Sequence, residues 1–126
     1  MQLKNNLYSI LGFEADGVGA ATYSIELNDA CFIYKAHFPG QPITPGVCIV
    51  QMVKELLEDF LHKTLTIASV KNVKFLSVLS PTDTTKVKVT LAKIQSSPDG
   101  NGIKAQAVVV TDDETKAKVS LTCSEC

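Results

Sequence analysis

The spacing of apolar residues changes from a period of two to a helical period in the middle of the chain. From Val47 to about His62, apolar side chains recur at three- and four-residue spacing and form one broad face. The polar side chains of this segment share the other side, and they are Gln51, Glu55, Glu58 and His62. This spacing and length predict a long amphipathic helix, which we expect to be the central buried helix of the fold.

Hydrophobic alternation predicts strands on both sides of that helix. Before it, we expect strands at residues 6–14 and 18–28, and a third strand in "CFIYKAHF", whose side chains alternate between two faces. After it, we expect strands at roughly residues 65–79, 84–96, 102–111 and 115–124. The segments "SPDGNG" and "DDET" separate the last three strands and contain the residue types that hairpin turns favour.

The later strands have the pattern of an antiparallel sheet with one side in water. Lys86, Lys88, Lys116 and Lys118 alternate with apolar residues, so we expect these lysines on the outer, solvated face. One long helix with six or seven antiparallel strands predicts an α+β fold in which the sheet wraps around a long central helix. A chain of 126 residues suits a single domain, residues 1–126, that buries a core without disulfides or metals.

Composition narrows the classes of partner and cofactor. The chain has 12 lysines, no arginine and 13 acidic residues, and nucleic-acid-binding proteins usually carry a basic excess that includes arginine, so no nucleic-acid partner is expected. One CxxC pair, Cys123 and Cys126, stands without a second pair or a nearby histidine, so no metal site is expected. The first residues contain no apolar signal segment, and no apolar run reaches transmembrane length. We therefore expect a cytoplasmic protein with reduced thiols and no membrane contact.

The segment "HFPGQPITPGV", residues 37–47, carries the candidate chemistry. It combines one of the two histidines, three of the five prolines and a Pro-Gly step at the start of the predicted helix. The first N–H groups of a helix have no acceptor within the helix, and the positive end of the helix dipole lies there. Such a helix start suits a thioester oxygen that gains negative charge, and Gly46 lets a substrate approach the backbone closely. His37 titrates near neutral pH, so it is a candidate general base.

This segment closely resembles the signature of the β-hydroxyacyl-acyl-carrier-protein dehydratases, the FabZ/FabA-like family, which have the hotdog fold. A second segment, "VKNVKFLSVLSPTD" at residues 70–83, is similar to the strand after the helix in that family, where an aromatic residue precedes a P-x-D turn. The last three strands fit the family pattern too, so the resemblance covers roughly residues 20–124. It implies a single hotdog domain.

The resemblance also implies an activity, a site and an assembly. The reaction is the removal of water from a (3R)-3-hydroxyacyl thioester on acyl carrier protein, or on coenzyme A, to give the trans-2-enoyl thioester in fatty-acid or related synthesis. His37 is then expected to remove the α-proton, and the backbone amides of Gly46 and Val47 to hold the thioester oxygen. No cofactor is implied. Because the family builds each site from two subunits, a homodimer is implied, with a heterodimer or a trimer of dimers left open.

One position departs from the family pattern. The family has Glu or Asp fourteen residues after the histidine, where this chain has Gln51, and an amide cannot donate a proton as an acid. General acid assistance contributes about 10²–10⁴-fold, so its loss should slow dehydration severely. The family continues E-A-M-A-Q where this chain reads Q-M-V-K-E, so Gln51 and Glu55 look like the same two residue types exchanged. Either Glu55 takes over the acid role, or it is an ordinary solvated glutamate.

Two other functions fit the same residues. A hotdog acyl thioesterase would share the helix-start site, although Gln51 suits the positioning of a water better than its activation. A non-catalytic or heterodimer-dependent acyl-binding subunit is the other alternative. In that case His37 pairs with a carboxylate from a different chain, and Gln51 marks a silent half-site.

Overall fold

One antiparallel sheet, one long helix and one short helix form the regular structure of the described residues. The computed structural model describes residues 2–36, 40–98, 100–112 and 114–125. Its elements in chain order are β1 (Tyr8–Ala15), β2 (Ala21–Leu27), α1 (Phe32–Ala36), α2 (Gly46–Leu61), β3 (Leu65–Phe75), β4 (Lys86–Ser96), β5 (Gly102–Thr111) and β6 (Glu114–Glu125). The six strands form a single sheet in the order β1-β2-β4-β5-β6-β3, and each neighbouring pair is antiparallel. The α+β prediction is confirmed.

Helix α2 packs its apolar face against the inner face of the sheet, as its spacing predicts. Met52, Leu56 and Leu57 are fully buried, and the residues that alternate inward on β4 and β5 are buried as well. The helix ends at Leu61, because His62 adopts a left-handed conformation with φ of 56° and its N–H donates to the carbonyl of Glu58. The predicted helix is therefore confirmed to within one residue at each end. Among the described residues, no helix is long and apolar enough to cross a membrane.

The strand predicted in "CFIYKAHF" is wrong over its described residues, which form the short helix α1. A turn begins at Asn28, whose side chain accepts from the N–H of Ala30 and whose carbonyl accepts from the N–H of Cys31. Cys31 and Tyr34, three residues apart, are both buried, whereas Phe32 is 73% exposed. That spacing fits one helical turn, and five residues are too few to separate it from strand alternation. Residues 37–39 lie outside the described part of the chain.

Strand β3 ends at Phe75, four residues earlier than predicted, and it lies at one edge of the sheet. The N–H groups of Leu76 and Ser77 both donate to the carbonyl of Lys116, which turns the chain away from the strand direction. Beyond this turn, the carbonyl of Leu79 accepts from the N–H of Thr44, so the segment after β3 is tied to the segment before α2.

The alternation of residues predicted Lys116 on the solvated face, and this prediction is wrong. A register shift against β5 pairs Val109 with Ala117 and Val110 with Thr115, so Lys116 is the extra residue of a bulge. Only 8% of Lys116 is exposed, and its Nζ donates to the side chains of Ser77 and Glu114. The prediction holds for Lys86, Lys88 and Lys118, which are exposed.

Candidate functional site

The start of α2 presents backbone donors without a side-chain cap. Pro45 precedes the helix in an extended conformation, with φ of −61° and ψ of 145°, and its carbonyl accepts from the N–H groups of Cys48 and Ile49 at 3.0 and 3.1 Å. The N–H groups of Gly46 and Val47 come earlier in the first turn, where no helical carbonyl precedes them. Val47 itself is 70% exposed, so this helix end faces the surface of the chain. Two adjacent donors at the positive end of a helix can hold a carbonyl oxygen.

Phe75 lies directly against this helix start. A methyl group built on Gly46 would come within 2.6 Å of the Phe75 Cζ and 2.8 Å of its Cε2, closer than carbon atoms approach without a clash. The glycine therefore lets the ring at the end of β3 cover the backbone at the start of α2. About half of the ring side chain, 52%, remains exposed. The sequence alone assigns Phe75 no role in the site. The one signal that could have suggested a role is its place shortly before the "SPTD" turn.

His37, the candidate base, lies outside the described residues, so its role stays a prediction. The chain on its two sides is anchored. Tyr34 in α1 is buried, and its hydroxyl forms a 2.8 Å hydrogen bond with the hydroxyl of Thr44, which lies just before the helix. Burial raises the pKa of Tyr34 to about 12. This contact joins α1 to the start of α2 on the two sides of the histidine-containing loop.

Gln51 and Glu55 are in direct contact on the polar side of α2. The Nε2 of Gln51 donates to Oε2 of Glu55 at 2.9 Å, which is the contact expected of residues four apart on a helix. Gln51 is half-buried. Gln51 therefore lies about one and a half turns from the helix start. Its amide is bound to Glu55, the residue with which it looks exchanged relative to the family pattern.

Glu55 is not a solvated glutamate, so that alternative is wrong. Only 7% of it is exposed, and besides Gln51 it accepts three hydrogen bonds. The N–H groups of Leu3 and Lys4 donate at 2.8 Å each, to Oε2 and Oε1 respectively, and the Tyr8 hydroxyl donates to Oε1 at 3.0 Å. Glu55 thereby fixes the segment before β1 to the middle of α2. Each of its two carboxylate oxygens accepts two hydrogen bonds. Burial and the nearby Glu55 carboxylate raise the pKa of Tyr8 above its ordinary value.

The next two acidic residues of α2 have structural partners as well. Glu58 accepts from the N–H of Leu65 at 2.8 Å, which joins the helix to the first residue of β3. Asp59 accepts from the Tyr23 hydroxyl at 2.6 Å. Burial is the larger cause, and this hydrogen bond the second, of a raised pKa for Tyr23. These carboxylates hold elements of the fold together. Gln51 comes before them in α2 and is the polar side chain nearest to the helix start.

The described cysteines do not add a nucleophile or a metal site. Cys31, Cys48 and Cys123 are free and buried. Burial raises the pKa of Cys48, although it lies in the first turn of α2, and burial raises that of Cys123 to about 11. The thiols of Cys48 and Cys123 are therefore protonated at neutral pH. Within residues 2–36, 40–98, 100–112 and 114–125, no group of three or more His, Cys, Asp or Glu side chains is arranged to hold a metal ion.

Comparisons with known proteins identify the family of this chain. A family model described as ApeI-like, ApeI dehydratase, matches residues 14–118. The 3-hydroxyacyl-[acyl-carrier-protein] dehydratase FabZ of Latilactobacillus sakei is 32% identical over 120 residues, which cover 90% of this chain and 81% of that protein. The enzyme of the same description from Ligilactobacillus salivarius is 32% identical over 104 residues, covering 77% and 69%.

Solved structures with the same fold include dehydratases and more distant proteins. A chain of the dehydratase heterocomplex ApeI:P from Xenorhabdus doucetiae matches with a TM-score of 0.66 and 20% identity, covering 91% of this chain and 96% of that one. The Escherichia coli PaaI protein from the phenylacetic acid degradation operon matches with a TM-score of 0.65 and 9% identity, covering 98% and 83%. At such identities the likeness establishes the hotdog fold alone. Together with the family model and the FabZ relatives, it shows that the chain belongs to the ApeI-like dehydratases, a FabZ-like family with the hotdog fold.

Proposed function

We propose that the chain removes water from a (3R)-3-hydroxyacyl thioester on acyl carrier protein and gives the trans-2-enoyl thioester, in fatty-acid or related acyl-chain synthesis. The observation that carries this proposal is the uncapped start of α2, where the N–H groups of Gly46 and Val47 follow directly on the segment "HFPGQPITP". The FabZ relatives, which are named as dehydratases of carrier-bound 3-hydroxyacyl chains, support it.

In this mechanism His37 takes the proton from C2 of the acyl chain, and the electron pair of that C–H bond becomes the new C2–C3 double bond. The amides of Gly46 and Val47 stabilise the negative charge on the thioester oxygen while the bond to the C3 oxygen breaks. The departing hydroxide needs a proton. Gln51 holds the hydroxyl but cannot protonate it, so the imidazolium of His37 returns the proton, directly or through a water.

We further propose that the active species is a cytoplasmic homodimer joined through β3. This strand is at the edge of the sheet, and an unpaired strand edge is a template for pairing with another chain. The exposed apolar side chains at or just after this strand are Val70, Phe75, Leu76 and Val78. A partner on this edge would cover them and would lie beside the start of α2, because Phe75 contacts Gly46.

The test offers the purified protein the N-acetylcysteamine thioesters of (3R)-3-hydroxybutyrate and of crotonate. Enoyl-thioester absorbance should rise with the first and fall with the second, with no release of free thiol. His37→Ala should lose at least about 10²-fold in rate, since it removes the base, whereas His62→Ala, which changes the other histidine, should keep full activity. Release of free thiol instead would identify a thioesterase and contradict the proposal.

A second candidate is a subunit that becomes active only with a different hotdog chain. Two points favour it: Gln51 stands where the resemblance leads us to expect a carboxylate, and one matching structure is described as a dehydratase heterocomplex. In this case the chain alone turns over neither thioester. Mixing it with a FabZ-like chain that has a carboxylate at this position and an alanine in place of its own histidine should restore water loss. That rescue should depend on His37, which separates this candidate from simple inactivity.

A further inference from the structure

The sheet directs the Phe75 ring toward the start of α2. Phe75 is the last residue of β3 and lies directly opposite Ala117 of β6, which is fully buried. Directly opposite residues of neighbouring strands point to the same face of a sheet, so the ring lies on the inner face, toward the helix. It packs against Gly46, whose N–H is one of the two proposed donors to the thioester oxygen. The ring therefore occupies space from which water would otherwise reach this residue.

A turn that begins immediately after Phe75 holds the end of β3. The carbonyl of Lys116 accepts from the N–H groups of Leu76 and Ser77 at 2.9 and 3.2 Å. Among the described residues, β3 has a strand partner on one side only. Its last residues are therefore held by pairing with β6 and by this turn, and both contacts involve the same short stretch of β6.

The side chain of Lys116 braces the same turn. Lys116 is the extra residue of the bulge in β6, and bulges can re-aim a side chain next to a functional site. Its Nζ donates to the hydroxyl of Ser77 and to the carboxylate of Glu114, at 3.3 Å each. Hydrogen bonds from Ser77 and Lys116 lower the pKa of Glu114, so the three side chains form one connected group. Because Lys116 is only 8% exposed, its ammonium group depends on these partners.

We propose that Lys116 is a positioning residue of the dehydratase site: it braces the turn after β3 and so keeps the Phe75 ring against Gly46, where the ring shields the donor to the thioester oxygen from water. This inference rests on the proposed function. Lys116 touches no reacting atom and acts through Phe75. A shielded donor stabilises the growing negative charge more strongly than a hydrated one. Because that charge is largest in the transition state, the ring should matter more for kcat than for KM.

Lys116→Met, which keeps the length of the side chain but cannot donate, tests the proposal with the 3-hydroxybutyryl thioester of N-acetylcysteamine. We expect kcat to fall about three- to tenfold, the effect of roughly one hydrogen bond, with KM changed by less than about twofold. Lys86→Met is the matched control, because it removes the same charge from an exposed lysine that pairs with Glu26 on the neighbouring strand. The control should keep the kcat of the wild type. An unchanged kcat in Lys116→Met would contradict the inference.

The double variant Lys116→Met with Phe75→Leu shows whether the lysine acts through the ring. If it does, the double variant should have the kcat of Phe75→Leu alone, within about twofold, because the ring that Lys116 positions is already gone. If the two losses in kcat multiply, Lys116 acts by another route and the inference is overturned.

An NMR measurement tests the positioning without turnover. The α-protons of Gly46, identified by their loss in Gly46→Ala, should be displaced by the ring current of Phe75, and Phe75→Leu should remove this displacement. Lys116→Met should move these signals toward their Phe75→Leu positions, whereas Lys86→Met should not. Ser77→Ala, which removes only the acceptor in the turn, makes the same test if Lys116→Met does not fold.

The outcomes separate this inference from the proposed function. Gly46 signals that keep their wild-type positions in Lys116→Met and in Ser77→Ala would overturn the inference and leave the proposed function intact. A wild type that turns over neither the 3-hydroxybutyryl nor the crotonyl thioester would remove both.

Discussion

Gly46 is the glycine with the least room for a larger side chain. The Phe75 ring occupies the volume that any larger side chain would need, and one of the two backbone donors proposed to hold the thioester oxygen is the N–H of the same residue. The glycine is therefore required by a contact between two elements that are far apart in sequence. The sequence indicates only that a substrate approaches here, and the ring that makes the approach tight could not be read from the spacing of residues.

Gly46→Ala should displace the Phe75 ring and disturb the proposed oxyanion site. We expect the dehydration rate to fall by at least about tenfold, whereas the free energy of unfolding should change by no more than about 1 kcal/mol, because alanine's better helix propensity offsets part of the clash. Turnover of the 3-hydroxybutyryl probe and urea unfolding measure the two effects. In a double-mutant cycle with Phe75→Leu, which removes the ring, we expect a coupling of about 0.5–3 kcal/mol. If the effects of Gly46→Ala and Phe75→Leu simply add, the ring and the glycine are not coupled.

Gln51→Glu should raise the dehydration rate, because it places an acid at the position where the resemblance to the dehydratases leads us to expect one. The new carboxylate would lie about as close to Glu55 as the amide does now, at 2.9 Å. Two carboxylates at such a distance share a proton, so the pKa of one is raised and an acid is available near neutral pH. We expect a gain of at least about tenfold in kcat, within the range of general acid assistance. Gln51→Met, which supplies no acid, should show no gain, and an unchanged kcat in Gln51→Glu would contradict the prediction.

The same substitution should change the dependence of stability on pH. A carboxyl whose pKa is raised on folding binds more protons in the folded state than in the unfolded state, so the free energy of unfolding falls as pH increases above the ordinary glutamate value. Gln51→Glu should therefore lose stability relative to the wild type between about pH 5 and pH 8. Urea unfolding of both proteins at these two pH values measures the difference. A constant difference would mean that the two carboxylates do not interact.

Long elements with a sustained period could be predicted at the scale of helices and strands. Helix α2 and strands β4 to β6 are each ten or more residues long, so their hydrophobic faces could be assigned from the sequence, except at Lys116 in β6. The short helix α1 repeats its pattern for little more than one turn, and the bulge at Lys116 changes which face a residue takes without changing the local composition. The polar anchors of α2 were missed for another reason. Apart from Gln51, the partners of Glu55 lie 47 to 52 residues away in the chain, and only folding brings them to the helix.

The contact between α1 and α2 should make the histidine-containing loop depend on one buried hydroxyl pair. Tyr34→Phe leaves the hydroxyl of Thr44 buried without this partner, so we expect a loss of about 1–3 kcal/mol in the free energy of unfolding. Tyr34→Phe combined with Thr44→Val removes both polar groups and should recover most of this loss. Urea unfolding of the two variants checks the prediction. Equal destabilisation of the single and double variants would show that the hydroxyl of Thr44 finds another partner.

At the scale of the whole molecule, the two ends of the sheet differ in what surrounds them. Exposed apolar side chains occur near both ends, but those at the β3 end lie beside the start of α2, whereas β1 forms the other end. A site that depends on residues from two subunits needs an interface near the helix start, and only the β3 end brings an edge strand into contact with Gly46 through a described side chain. The fold thus gives the proposed dimer a specific edge to use.

Val70→Lys combined with Leu76→Lys should convert the proposed homodimer to a monomer. Lysine on an edge strand opposes pairing with a second copy, and these two positions are exposed in the isolated chain, so the fold itself should persist. Light scattering after gel filtration measures the mass, and circular dichroism checks the fold. The control, Leu11→Lys with Val18→Lys, adds the same charge at exposed apolar positions in and just after β1 and should remain a dimer. If dehydratase activity is lost together with the dimer in the first variant only, the site requires both subunits. An unchanged mass for the β3 variant would place the interface elsewhere.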